Sequence, residues 1–367
     1  MSTRVRDRAS PPRLLVAASG TGGHVFPALA IAEQLPDWQI EWLGVSDRME
    51  AKLVQERYRL HCVAMSGLQG SPLEKLRALA QLGRSTLQTR QILKSGQFDV
   101  VLTTGGYIAA PAILAARALG VPAVLHESNA IPGKVTRALG RWCQRVALGM
   151  AETAKYLPGV ATQVVGTPVR SEFYSPQPVP ADLPIPDGEP FILVMGGSQG
   201  ARGLNRMVAA CAEAWLQSGA WIVHLTGGIE AQAPESGIPQ HPRYWRFPFR
   251  ADVANLLQRA DFAISRAGAM SLAELLATGT PALLIPYPFA AEDHQYHNAL
   301  AFVQCGGGVV MRESEKNLDL LRQTVLTWLA HPQTITQMAT NLKAAAHPAA
   351  GKAMAHLLQE ILQDLAR

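Results

Sequence analysis

Leu14-Leu15-Val16-Ala17-Ala18 runs directly into Ser19-Gly20-Thr21-Gly22-Gly23-His24, and the design returns at Gly196, 176 residues after Gly20. There Phe191 to Met195 runs into Gly196-Gly197-Ser198-Gln199-Gly200-Ala201-Arg202-Gly203. Each stretch reads as a short apolar strand, a glycine turn and the start of a helix. Such a turn is an anion site, because unpaired N–H groups and the positive end of the helix dipole converge there and glycine admits a phosphate close to the backbone. Two turns one domain length apart predict two Rossmann-like, doubly wound domains with a cleft between them.

The alternation of segments around the turns agrees with parallel sheets covered by helices. Strands are expected at 14–18, 39–45, 100–103, 123–126 and 145–148, then at 191–195, 221–226, 245–247, 262–265, 282–285 and 308–311. Helices are expected at 25–35, 49–57, 73–94 and 111–119, then at 204–217, 253–258, 271–277, 294–304 and from about 317 to the end. Six prolines, at 176, 178, 180, 184, 186 and 190, crowd the stretch between Tyr174 and Phe191. Proline continues neither a helix nor a central strand, so 175–190 reads as an interdomain linker. The expected division is 1–174, a linker, 191–345, and a C-terminal helix within 346–367.

Composition excludes several classes. With 367 residues, 48% of them hydrophobic and 17% charged, the chain can bury two ordinary cores. The longest apolar candidate, 109–125, is broken by Pro111, Arg117, Gly120 and Pro122, too soon for a membrane span. The five-residue run from Leu14 is too short for a signal-peptide core, which points to the cytosol. Cys62, Cys143, Cys211 and Cys305 form no Cys-x-x-Cys pair and read as free thiols. Residues 1–170 hold 20 Lys and Arg against 11 Asp and Glu, a net of +9, whereas residues 171–367 hold 13 against 17, a net of −4. The basic half should face something anionic. No basic stripe with interleaved aromatics or zinc module points to nucleic acid, so a membrane surface or a pyrophosphate substrate fits better.

Neither glycine turn is a complete dinucleotide fingerprint. The first has Val25 in place of the last glycine and only Asp47 as its acidic candidate, and the second lacks the spacing. A P-loop is excluded, since no Gly-Lys-Ser/Thr follows either turn. His294-x-x-His297 beside Asp293 could suggest zinc, but no third ligand stands at motif spacing, and no metal is expected.

Several motifs together resemble the MurG family of glycosyltransferases. They are Thr21-Gly22-Gly23-His24, Gly105-Gly106-Tyr107, His126-Glu127-Ser128-Asn129 with Pro132-Gly133, Thr167-Pro168-Val169-Arg170, Gly196 to Gly200, Ser265 to Glu274, and Asp293-His294-Gln295-Tyr296. The resemblance covers nearly all of the chain after Arg13. It implies a GT-B fold of α/β class, with parallel sheets in two Rossmann-like domains, and a C-terminal helix that crosses back to the first domain. It also implies transfer of N-acetylglucosamine from UDP-N-acetylglucosamine to an undecaprenyl-linked muramyl pentapeptide, at the cytoplasmic face of the bacterial membrane, with other cell-wall synthesis proteins as partners. Three positions depart from the family pattern: Ser19 replaces a usual glycine, Ser128 a common glutamine, and His294 the first of two frequent glutamines. The last shifts the expected sugar contact mainly to Gln295.

Departure of a nucleoside diphosphate needs charge stabilisation, by a metal on Asp-x-Asp or by a helix N-terminus with polar and basic groups. No Asp-x-Asp occurs in the chain. The turn with Gly197 and Ser198, its helix and Arg170 are therefore the candidates, with no cofactor. Glu274 is the candidate for the ribose, since a carboxylate can accept from two vicinal hydroxyls. Ala269, Met270 and Ser271 offer a helix start to the diphosphate or sugar. By resemblance, backbone near Phe249 and Arg250 reads the uracil, and Thr21, Gly22, Gly23, Asn129, His294 and Gln295 join the donor site. The acceptor hydroxyl must lose a proton, and His24 is the candidate base. Its plainer reading is a capping or packing residue; base and acceptor positioner both remain open. Tyr107, Glu127 and Asn129, with Thr21 and Gly22, are the acceptor-side candidates by resemblance. A UDP-N-acetylglucosamine 2-epimerase and a non-catalytic nucleotide-sugar binding subunit are the alternatives. Finally, Leu73, Leu76, Leu79, Leu82 and Leu87 recur near helical spacing among Lys75, Arg77, Arg84, Arg90 and Lys94, either as a core-facing stripe or as a surface that docks on anionic lipid.

Overall fold

The computed structural model describes residues 10–20, 22–46, 53–65, 71–197, 200–228 and 239–365. Thr21, Asp47, Ser198 and the first four residues of the expected 49–57 helix lie outside these residues, as does the side chain of Leu73. The chain forms two compact units, one of residues 1–128, 132–168 and 349–367, the other of 129–131 and 169–348.

The first unit holds β1 (Arg13–Ala17), α1 (Gly22–Ala32), β2 (Gln39–Gly44), β3 (Arg59–Cys62), α2 (Pro72–Ser95), β4 (Val100–Thr103), α3 (Ala109–Leu119), β5 (Ala123–Glu127), α4 (Lys134–Leu139), β6 (Arg145–Leu148) and β7 (Thr162–Val164). Its strands form one parallel sheet in the order β3-β2-β1-β4-β5-β6-β7. The second unit holds β8 (Phe191–Met195), α5 (Arg202–Gln217), β9 (Trp221–Leu225), β10 (Tyr244–Phe247), α6 (Val253–Arg259), β11 (Phe262–Ser265), α7 (Ala269–Thr278), β12 (Ala282–Leu284), α8 (His294–Gln304), β13 (Gly308–Val310), α9 (Leu318–Ala330) and α10 (Pro332–Ala345). Its sheet is parallel in the order β10-β9-β8-β11-β12-β13. The last helix, α11 (Ala350–Leu365), belongs to the first unit and packs on α1.

The central strands are buried on both faces, hence their continuous apolar runs: β1 from Leu14, β4 and β8 have every one of those side chains in the interior. In both sheets the strand order reverses beside the glycine turn, at β1/β4 and at β8/β11. A crevice opens at the carboxyl ends of strands where helices leave in opposite directions, so each turn sits at a topological switch point.

The proline-rich stretch differs from the linker expected at 175–190. It packs within the second unit, with Leu183 and Ile185 buried. Proline lacks an N–H but keeps its carbonyl, and side chains of α6 satisfy these carbonyls. Asn255 donates to Pro178 O at 2.7 Å and Arg259 to Pro186 O at 2.8 Å, while Gln258 accepts from Gln177 N at 2.8 Å. The division between units therefore falls after Pro168, ahead of the position 174 read from the prolines.

Helix α2 also resolves the reading of its leucines. Its buried positions are Ala78, Ser85, Thr89 and Leu93, whereas Leu76, Leu79 and Leu87 are 64%, 53% and 67% exposed. The leucine stripe is not the core face. Small residues face inward because α2 packs closely on α3.

Candidate functional site

In the first unit, β1 and β4 pair in parallel with Ala17 opposite Thr103, so the turns that follow them lie side by side. That register brings His24, near the start of α1, against Thr104. His24 Nδ1 lies 2.7 Å from Thr104 O, and the Thr104 hydroxyl donates to His24 O at 2.7 Å. Gly105 and Gly106 adopt φ of +96° and +74° beside the ring. A Cβ at Gly105 would stand 3.2 Å from His24 Cε1, and one at Gly106 would stand 3.3 Å from Cδ2. The pair both makes the left-handed turn and vacates the space the imidazole fills. Gly22 is buried in the first turn of α1, Gly23 is half-buried beside it, and Tyr107 follows the glycine pair, 48% exposed.

Glu127, at the end of β5, is buried. Its Oε2 accepts from Gly133 N at 2.9 Å and from the Thr136 hydroxyl at 2.7 Å, so it anchors the loop that opens α4. The preceding His126 is fully buried, donates from Nε2 to Gly166 O at 2.9 Å and receives Ser128 Oγ at 3.3 Å on Nδ1. Burial lowers its pKa and keeps the imidazole neutral.

Asn129 to Ile131 group with the second unit, and Asn298 on α8 is the reason. This fully buried amide accepts from Ala130 N at 2.8 Å and donates to Asn129 Oδ1 at 3.1 Å and Ala267 O at 3.2 Å. Asn298 was not singled out from the sequence; its place one turn beyond Asp293-His294-Gln295 was the signal that could have found it.

In the second unit, Met195 pairs with Ser265, so the Gly196–Gly197 turn lies beside the loop 266–268 that starts α7. Arg266 N donates to Met195 O at 3.1 Å across that seam. Gly197, at φ +86°, has open space around it. Gly268 caps α7 without a side-chain hydrogen bond, leaving the N–H groups of Ala269, Met270 and Ser271 at the helix start. Glu274 follows one turn later with its side chain 12% exposed. Arg170 reaches it, with Nη2 at 3.8 Å from Oε1, and pairs also with Glu172 at 2.9 Å. Burial pushes the Glu274 carboxyl up to about 7, Arg170 pulls it down, and Glu172 adds to the rise.

The remaining donor-side candidates have structural ties. The Arg250 guanidinium bonds Asp182 at 2.6 and 2.9 Å and Asp252 at 2.8 and 2.6 Å, and lies over Phe247. Its side chain thus pins the proline-rich stretch, while Phe249 beside it is 72% exposed. Gln295 Oε1 accepts from Tyr287 N at 2.9 Å, and His294 Nδ1 donates to Ala291 O at 2.9 Å. Asp293 forms a two-pronged pair with Arg312, which holds its carboxyl below the usual range. Among the described residues no three His, Cys, Asp or Glu side chains gather as a metal-ligand set.

Comparison with known proteins bears on both units. Residues 14–148 match the glycosyltransferase family 28 N-terminal domain and residues 191–354 its C-terminal domain. A Synechococcus sp. (strain JA-2-3B'a(2-13)) protein named UDP-N-acetylglucosamine--N-acetylmuramyl-(pentapeptide) pyrophosphoryl-undecaprenol N-acetylglucosamine transferase is 79% identical over 100% of both chains. Its namesake from Synechococcus sp. (strain JA-3-3Ab) is 77% identical over 99% of both. The crystal structure of Acinetobacter baumannii MurG superposes with a TM-score of 0.78 at 30% identity, covering 95% of this chain and 100% of its own. Identity of that order along the whole length, on two parallel-sheet units of GT-B type, means that the chain belongs to the MurG family of glycosyltransferases.

Proposed function

We propose that this protein transfers N-acetylglucosamine from UDP-N-acetylglucosamine to the 4-hydroxyl of the N-acetylmuramyl residue of lipid I, giving lipid II for peptidoglycan. The observation that carries this reading is the 79% identity, end to end, with a transferase of that name. It sets aside the epimerase and the non-catalytic subunit.

In this reading the reaction is a single displacement with inversion. The acceptor oxygen attacks C1 of the sugar, the C1–O bond to the diphosphate breaks, and UDP leaves. His24 Nε2 takes the acceptor proton. Glu274 accepts from the ribose hydroxyls, Arg170 and the helix start behind Gly197 balance the charge on the diphosphate, and Ala269 to Ser271 meet the sugar side. Gln295 contributes through the amide NH2 that its tie to Tyr287 leaves available. No step requires a metal.

The acceptor carries a long isoprenoid anchor, so the enzyme must work at a membrane face. No helix among the described residues is long and apolar enough to cross a membrane. Peripheral docking through α2 is supported by its exposed leucines standing among exposed Lys75, Arg77 and Arg84. Incubation with radiolabelled UDP-N-acetylglucosamine and a lipid I analogue tests the whole reading, run with and without a chelator. Labelled disaccharide-lipid in both arms is the expected result. No transfer would overturn the activity, and transfer lost on chelation would overturn the metal-free step.

A further inference from the structure

We infer that Thr104 is a positioning residue that fixes the tautomer of His24, so that Nε2 is the atom available to take a proton. The inference deepens the assignment of His24 as the base and rests on it.

The argument starts from what a carbonyl can do. Thr104 O has lone pairs and no hydrogen, so the ring nitrogen 2.7 Å away must be the donor. A neutral imidazole carries one N–H. With that hydrogen on Nδ1, the lone pair resides on Nε2.

The second hydrogen bond makes the arrangement mutual. Thr104 Oγ1 donates to His24 O at 2.7 Å, so backbone and ring of His24 are gripped by the same residue. Thr104 is itself buried and fixed in place. The neighbouring Thr103 hydroxyl donates to Ala17 O at 2.8 Å and accepts from Gly105 N at 3.3 Å, which ties the turn after β4 to the end of β1. On the far side of the ring a Cβ at Gly106 would stand 3.5 Å from Nε2. Glycine there keeps the lone pair approachable by a hydroxyl.

The test uses the full chain labelled with 15N-histidine, the His24 signals being assigned by their loss in His24→Ala. Ring nitrogen shifts separate a protonated Nδ1 from a protonated Nε2. Protonated Nδ1 is expected; protonated Nε2, or a mixture of the two, would overturn the inference. Thr104→Val keeps the branched shape and the carbonyl that sets the tautomer, and removes only the hydroxyl that grips the His24 backbone, so it tests the positioning half of the inference. Turnover should fall about tenfold, the loss of one well-made hydrogen bond, with the KM for UDP-N-acetylglucosamine unchanged and the acid limb of the pH–rate profile displaced. Thr104→Ser should restore both. An unchanged rate and profile in Thr104→Val, or no rescue by serine, would sink the positioning role. Near-parental activity in His24→Ala would instead remove the base assignment, whatever tautomer the spectra show.

Discussion

Arg170 Nη2 stands 3.8 Å from Glu274 Oε1 while the same guanidinium holds Glu172 at 2.9 Å, so one cation serves two carboxylates of unequal burial. The shared cation does not offset the burial of Glu274, whose carboxyl rises from 4.5 to about 7. The folded chain then binds a proton that the unfolded chain has already released, so this group favours folding fully below pH 4.5 and loses that contribution as pH rises through about 7. The shift corresponds to roughly 3 kcal/mol. Thermal melts of the parent and Glu274→Gln between pH 5 and 8 should diverge, the parent losing stability relative to the variant as pH rises. Parallel curves would mean that the carboxyl is solvated.

Ligand binding should reverse the strain on the same group. Two ribose hydroxyls donating to Glu274 favour its ionised form, so UDP affinity should strengthen from pH 6 to 8 in the parent and stay flat in Glu274→Gln. Truncation by Glu274→Ala should weaken UDP by about 1–3 kcal/mol, the cost of losing a charged hydrogen-bond partner. Calorimetry that finds parental affinity in the alanine variant would take Glu274 out of the donor site.

His24→Ala should lower turnover by about two to four orders of magnitude, the usual contribution of a general base. UDP affinity should barely move, because Glu274, Arg170 and the helix start behind Gly197, proposed for the ribose and diphosphate, lie in the second unit. Single-turnover rates beside calorimetric UDP titrations check both halves. A variant within a few fold of the parent would make His24 a packing residue.

Binding to vesicles should depend on charge and on salt. Each basic residue near an anionic surface contributes on the order of 1 kcal/mol, and the effect is screened within a Debye length. Sedimentation with anionic vesicles at low salt should exceed that with neutral ones. Reversing Lys75, Arg77 and Arg84 to glutamate should abolish the difference; retention of binding in the triple variant would exclude α2 as the docking surface.

Much of the fold was legible because its central strands are apolar on both faces. β1, β4, β5, β6, β8, β9, β11 and β12 carry mainly apolar runs that are buried along most of their length. What escaped was polar or short. Arg59-Leu60-His61-Cys62 and Thr162-Gln163-Val164 are edge strands with one partner each, so their side chains carry no run of burial. The proline-rich stretch misled for a different reason. Proline content reports lost N–H donors, whereas docking was decided by carbonyls that side chains of α6 happen to reach. The site divides in the same way. The glycine turns are local signals in the sequence, and Glu274 is singled out through the Ser265 to Glu274 motif that carries the family resemblance. The grip of Thr104 on His24, the approach of Arg170 to Glu274 and the hub at Asn298 depend on register and tertiary approach, which spacing along the chain does not encode.

Helix α11 carries an implication for how the chain is made. Met354, Leu357, Leu358 and Ile361 share a buried cluster with Leu14, Val16, Val25 and Trp42, and Gly351 lets the helix approach α1 closely. The unit that leaves the ribosome first is thus the one that waits longest for its last piece, since 180 intervening residues of the other unit, 169–348, must be synthesised before α11 emerges. Until then the apolar face of α1 is open to solvent or to a chaperone. A nonsense lesion within the codons for α11 would therefore strike the core built around β1 and α1.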